Sequence, residues 1–132
     1  MAEACLGGLQ GRSVLLIGPE RLCQPYKALL QQMNIKTIYQ EETPERLIDL
    51  LPLVQLFMYT PEPSPDPDMT SPSQITAAAV AQGCAGRRAP LVIFDLAETP
   101  SIEELVGLLP AVCLYTPDDL RAIFARYAMQ MA

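Results

Sequence analysis

The sequence predicts an α/β fold, a Rossmann-like three-layer sandwich with a mostly parallel sheet of about five strands. Three observations point there. Short apolar runs rich in β-branched residues and leucine recur at residues 13–17, 36–40, 53–59, 90–96 and 111–115. Segments with helical apolar spacing or helix-start chemistry separate them, and right-handed crossovers then leave a parallel sheet covered on both faces. At 132 residues the chain makes a single domain, long enough to bury a core without staples.

After an N-terminal extension at 1–10, "SVLLI" lies between Gly11 and Gly18 and has the profile of a strand buried on both faces. Leu22, Tyr26, Leu29, Leu30 and Met33 follow at helical spacing and predict one apolar helix face. "KTIYQ" is the second strand. Thr43 as N-cap and Pro44 at the first helical position open a short helix through Leu47, Ile48 and Leu51, which Pro52 closes. "LVQLFMY" is the third strand. The stretch 60–73, "TPEPSPDPDMTSPS", holds five prolines and three acids, too little apolar material to pack, and predicts an exposed connector. A helix capped by Ser71 is expected from Pro72, carrying Ile75, Ala78, Ala79 and Val80 until Gly83 and Gly86 end it. "PLVIFDL" is the fourth strand. "SIEEL" matches a capping box, Ser101 with Glu104, whose helix Gly107 stops. "AVCLY" is the fifth strand. Thr116, Pro117 and Asp119 repeat the cap chemistry, and Leu120, Ile123, Phe124, Tyr127 and Met131 predict a final helix over 117–131.

Composition narrows the chemistry. Half the residues are apolar and no uninterrupted run reaches membrane-spanning length, so a soluble chain without a membrane partner is expected. The start "MAEACLGGLQGR" lacks a basic segment followed by an apolar core, which predicts a cytoplasmic protein. Cys5, Cys23, Cys84 and Cys113 are scattered and there is no histidine. That pattern argues against zinc and against a disulfide framework, and it removes every Ser-His or Cys-His nucleophile scheme. No catalytic set and no metal site are expected. The net charge of −6 and pI near 4.5 oppose a polyanion, so nucleic acid is not an expected partner.

The first strand runs into "GPERLC", which begins like a dinucleotide-binding turn. Such a turn needs three glycines, for the bend, for approach to the pyrophosphate and for close helix packing. Only Gly18 is present. Glu20 holds the second place and Cys23 the third, so a carboxylate stands where a pyrophosphate would approach. Pro25 falls beyond the first turn of a helix starting near Pro19, and a late or kinked start is the expected response. In the other direction, Glu41 and Glu42 follow Gly18 by 23 and 24 residues, near the place of a ribose-holding acid. Negative charge before a helix accounts for them equally well. If a ligand binds, the expected mouth is Gly18, Glu20, Glu41, Thr60 and Asp95, at the edge where ligands of open α/β sheets gather. Tyr59 and Tyr115 stand at strand ends near that crevice.

The stretch "APLVIFDLAETPSIEELVGLLPAVCLYTPDDLRAI" resembles the end of the nucleotide-binding domain of glutamyl-tRNA reductase, the first committed enzyme of five-carbon tetrapyrrole synthesis. The resemblance rests on Asp95 ending an apolar strand, on Val112, Leu114 and Tyr115 in the next, and on Asp118, Asp119 and Leu120 at a helix start. It extends more weakly to "LQGRSVLLIG" and "TPERLIDLL", covering residues 9 to 127. It implies a Rossmann fold and an NADP site, and the departures fall on that site. The glycine turn is broken. An Asn-Arg-Thr suited to the NADP phosphate is replaced by Glu41, Glu42 and Thr43, and a Pro-Arg-Asp by Thr99, Pro100 and Ser101; the Ser/Thr-Gly turn after the third strand gives way to "TPEPSPDP". The family's catalytic cysteine belongs to a separate N-terminal domain, so reduction of an aminoacyl-tRNA is not expected of this polypeptide alone.

The sequence thus predicts a non-catalytic Rossmann-like relative of that domain, without a cofactor, acting as an accessory or interaction module in tetrapyrrole biosynthesis. The alternative is a genuine NAD or NADP-binding domain of a reductase or reductase complex. The apolar stripe of the last helix suggests a protein partner or homodimer contact there.

Overall fold

The computed structural model describes residues 11–32, 35–61, 75–87, 89–97, 102–119 and 122. Its five strands are β1 (Ser13–Ile17), β2 (Thr37–Glu41), β3 (Leu56–Tyr59), β4 (Leu91–Asp95) and β5 (Val112–Tyr115). They form one sheet in the order β2-β1-β3-β4-β5, every pair parallel. This is the doubly wound α/β arrangement that the alternation of strands and helices predicts. The strand order reverses between β1 and β3, which places a topological switch point at the carboxyl ends of those two strands.

Helix α1 (Glu20–Gln31) covers one face; α2 (Leu47–Leu50), α3 (Ala77–Gly83) and a 3-10 segment at Glu104–Leu108 cover the other. The pleat divides the core between them. Val14, Leu16, Leu56, Met58 and Val92 pack with Cys23 and Leu30 of α1. Leu15, Ile17, Phe57, Tyr59, Leu91 and Ile93 pack with Leu47, Leu50, Leu51 and Val80 on the opposite side. β1 is buried at all five positions, as a central parallel strand must be.

Several local expectations are corrected. α1 starts at Glu20, directly after Pro19, with Pro25 inside it; no delayed start occurs, because burial of Cys23 and Leu30 outweighs the lost hydrogen bond. The buried face of α1 is Cys23 and Leu30 with Tyr26 packed beside them, while Leu29 is 57% exposed. Thr43 makes no side-chain cap, and the segment after it runs as 3-10 Pro44–Arg46, α2, then 3-10 Leu51–Leu53, with Pro52 inside the last turn. β3 is therefore shorter than "LVQLFMY". α3 begins at Ala77, capped by the Thr76 hydroxyl, which accepts from the Ala79 N–H at 3.2 Å. Ile75 precedes that helix and makes a parallel bridge to Ile102. The expected start at Pro72 with its Ser71 cap lies outside the described residues, as does Ser101. The 3-10 segment at Glu104–Leu108 has no side-chain cap and contains Gly107 rather than ending there.

At the C-terminus, Thr116 and Asp119 form the expected reciprocal cap. The Asp119 N–H donates to the Thr116 hydroxyl at 3.2 Å and the Thr116 N–H to the Asp119 carboxylate at 3.0 Å. Residues 117–119 and 122 are helical; the rest of the predicted helix at 117–131 lies outside the described residues, with its stripe. So do the extension at 1–10 and all of the 60–73 connector except Thr60 and Pro61. Among the described residues no helix is long and apolar enough to cross a membrane.

Candidate functional site

The carboxyl edge of the sheet joins three of the five expected mouth residues through main chain. The Gly18 N–H donates to the Glu41 carbonyl at 2.9 Å, and the Thr60 N–H donates to the Ile17 carbonyl at 2.9 Å. Gly18 has φ +148, a conformation that L side chains rarely adopt. A Cβ there would collide with the Thr60 carbonyl oxygen. The first glycine of the turn is therefore required by the packing of the β1 end against the β3 end, with or without a ligand.

Beyond Gly18 the first helical hydrogen bonds of α1 form at once. The N–H groups of Leu22 and Cys23 donate to the Pro19 carbonyl at 3.0 and 3.1 Å. The Glu20 carboxylate sits in the first turn, where it complements the helix dipole, and accepts from the Gln24 amide at 3.2 Å. Cys23 fills the third-glycine place with its sulfur 3.7 Å from the Gly18 carbonyl. Burial pushes its thiol above the ordinary value, against the smaller opposing pull of Lys27, so it is held protonated and unreactive.

An open depression of about 440 Å³ lies beside this turn, lined by Pro19, Glu20, Arg21, Glu42 and Thr43. Of the expected mouth it includes Glu20 alone, and it takes Glu42 in place of its neighbour. The carboxylate of Glu41 is instead held by Arg46 at 2.8 Å. Arg46 is a participant that sequence reasoning missed, because a separation of five residues across a turn carries no helical-face signal.

Asp95 stands one strand further on, in register with Tyr59. It is 1% exposed, and its two carboxylate oxygens accept from the N–H groups of Ala97 and Ile102, each at 3.2 Å. These bonds shape the chain leaving β4 and bring Ile102 to its bridge with Ile75. Glu103 adds a second tie, accepting from the Ala77 N–H at 3.4 Å. The Tyr59 phenol is pushed up, first by burial and second by the Asp95 charge, which favours a protonated hydroxyl. Among the described residues no group of three Cys, Asp, Glu or His side chains is placed to hold a metal ion.

No family model matches the chain. Two curated relatives do. The glutamyl-tRNA reductase of Methanospirillum hungatei is 30% identical over 149 aligned positions, covering 93% of this chain and 33% of its own length. That of Methanocella arvoryzae is 29% identical, covering 93% of this chain and 31% of its own length. The chain thus spans about a third of the curated relatives it matches. Among solved structures, glutamyl-tRNA reductase from Methanopyrus kandleri superposes with a TM-score of 0.76 at 22% identity, over 98% of this chain and 36% of that one. The receiver domain of an Arabidopsis thaliana histidine kinase superposes with a TM-score of 0.50 at 13% identity, over 94% of this chain and 93% of that domain, a likeness of fold. With sequence identity near 30% along 93% of its length and a shared fold, the chain is a divergent glutamyl-tRNA reductase-like domain.

Proposed function

We propose that this domain is a non-catalytic accessory or interaction module of tetrapyrrole biosynthesis that has kept the doubly wound sheet and lost the dinucleotide seat. The observation that carries this reading is the β1–α1 turn. Its one glycine is explained by contact with Thr60, its second place puts Glu20 at the helix N-terminus, and its third is filled by the buried Cys23. A diphosphate entering there would meet a carboxylate in place of bare main chain. Neither Cys23 nor Tyr59 is activated, since burial favours the protonated form of both. The partners proposed are proteins or a second copy, in a cytoplasmic setting, with no bound cofactor.

The test is calorimetric titration, with thermal melts, of the chain against NADP and NAD. The expected result is no heat and no shift in melting temperature for either. Micromolar binding of either one defeats the reading.

One observation favours the alternative of a genuine NAD or NADP domain. α1 begins at Glu20 without the delay that Pro25 threatens, and the depression beside it carries Glu42 near the place of a ribose-holding acid. On that reading NAD binds more tightly than NADP, because Glu42 and Glu20 repel an added phosphate. Glu42→Ala would then weaken NAD binding in the same titration.

A further inference from the structure

Among the described residues Asp95 is the only buried acid, and both of its oxygens are engaged by main chain, one by the Ala97 N–H and the other by the Ile102 N–H. Ile102 in turn bridges Ile75. The Glu103 N–H donates to the Ile75 carbonyl at 3.0 Å, and the Glu103 carboxylate accepts from the Ala77 N–H. The chain entering α3 and the chain that has left β4 are thereby clasped together, and Asp95 ties the clasp to the carboxyl end of β4. Ile75 and Ile102 seal it against the core, 0% and 5% exposed.

This clasp is built more weakly than the sheet beside it. Each neighbouring pair of strands shares four or five residues in register, whereas the Ile75–Ile102 bridge is an isolated pair outside the strands. The sequence keeps it short: Pro72 and Pro100 stand three and two residues before the paired isoleucines, and a proline has no N–H with which to lengthen a ladder. Behind the clasp each arm has its own anchor, Val80 in α3 and Val106 in the 3-10 segment, both fully buried. The two arms can therefore part while the anchors and the strands stay in the core. Segments held by few ladder bonds open at lower free energy than central strands.

We propose that Asp95 is a latch: the Ile75–Ile102 clasp opens as a unit while the sheet stays folded, and opening releases the Asp95 carboxylate at the edge where ligands of open α/β sheets gather. The Tyr59 phenol stands in register beside it. Asp95 is thus a positioning residue in the closed state and an acceptor for N–H or O–H donors in the open one. A ligand that uses this carboxylate displaces two amides of the chain itself, so the closed clasp is an autoinhibitory contact, and the apparent affinity falls in proportion to the open fraction. The proposal is independent of the dinucleotide question, because the clasp opens or stays shut whatever the β1–α1 turn binds.

The experiment is native-state hydrogen exchange on the full chain in graded urea below the unfolding transition. The Ile102 and Glu103 amides, one bonded to Asp95 and the other to Ile75, are expected to exchange through a common opening. That opening should be at least about tenfold more populated than the one that releases β1, with little urea dependence because little surface is exposed. Asp95→Asn keeps the side-chain shape but turns one acceptor into a donor, and should speed both amides about tenfold or more. Val14→Ala, in the core on the α1 face, weakens the sheet equally in the closed and open states. It should speed the β1 amides and leave Ile102 and Glu103 unchanged. Exchange of the two amides at the rate and urea dependence of β1 overturns the proposal, as does an unchanged rate in Asp95→Asn. So does an acceleration of both by Val14→Ala that matches β1.

Discussion

A methyl group added at Gly18 would have to share space with the Thr60 carbonyl oxygen, on a backbone already at φ +148. Neither the carbonyl nor the β1 end can retreat, because the Thr60 N–H is bonded to Ile17 and the Gly18 N–H to Glu41. Gly18→Ala is therefore expected to destabilise the fold by about 3 kcal/mol or more, read from the urea midpoint; a loss below about 1 kcal/mol would show that the turn relaxes freely. Arg87 makes a comparable contribution at the opposite edge. Its guanidinium donates to the carbonyls of Ala89 at 2.6 Å, Leu51 at 2.9 Å and Val54 at 2.6 Å, joining the end of the Leu51–Leu53 turn to the chain before β4. Burial pulls its pKa down from the ordinary value, which the nearby Cys84 partly offsets. Arg87→Ala should cost about 3 kcal/mol through three carbonyls left without that donor, and Arg87→Lys should recover only a fraction, since an ammonium cannot reproduce the planar fork. Full recovery by lysine would mean that charge alone matters there.

At the scale of elements, the sheet was legible because each strand is a short apolar run with punctuation at its ends, and a parallel strand buried on both faces needs nothing subtler. Leu15 and Leu16 point to opposite cores, yet both are fully buried, so the run reads as a strand without any register being known. The helices were legible as existing and illegible at their starts. The Thr43 cap failed because the chain enters a 3-10 turn there, whereas Thr76 caps α3 without the Glu or Gln three residues on that marks a capping box. The site was half legible. The broken turn can be read from Glu20 and Cys23, but the contact of Gly18 with Thr60 and the pairing of Glu41 with Arg46 join parts of the chain that only the fold brings together. Pro25 tests the balance of local preference against packing. It is the sixth residue of α1, past the positions where its missing N–H costs nothing, so Pro25→Ala should stabilise the domain by about 2 kcal/mol, the interior helix penalty less the freedom an alanine restores to the unfolded chain. An unchanged or lower urea midpoint would show that the ring's own contacts matter more than the lost hydrogen bond.

For the whole molecule, a core that holds its thiols and a phenol away from water ties stability to alkaline pH. Burial pushes the Cys23 and Cys84 thiols above their ordinary 9.0, with Lys27 and Arg87 opposing weakly. Burial followed by the Asp95 charge pushes Tyr59 above 10.0. Each raised value means that the folded chain keeps a proton which the unfolded chain gives up first. The contribution of each group is therefore complete below its unfolded pKa and is lost as pH rises from there through the folded value. Unfolding free energy should be insensitive to these groups at neutral pH, begin to fall above about pH 9 as unfolded thiols ionise, and fall more steeply above about pH 10 where the phenol joins them. Urea unfolding measured in steps across that range checks the sign. Tyr59→Phe should remove the steeper part and leave the thiol part in place, while Cys84→Ala should reduce the first part to the Cys23 contribution without touching the second. Stability that rises with pH over this window, or a Tyr59→Phe profile that overlays the parent, would mean that these side chains reach water before the domain unfolds.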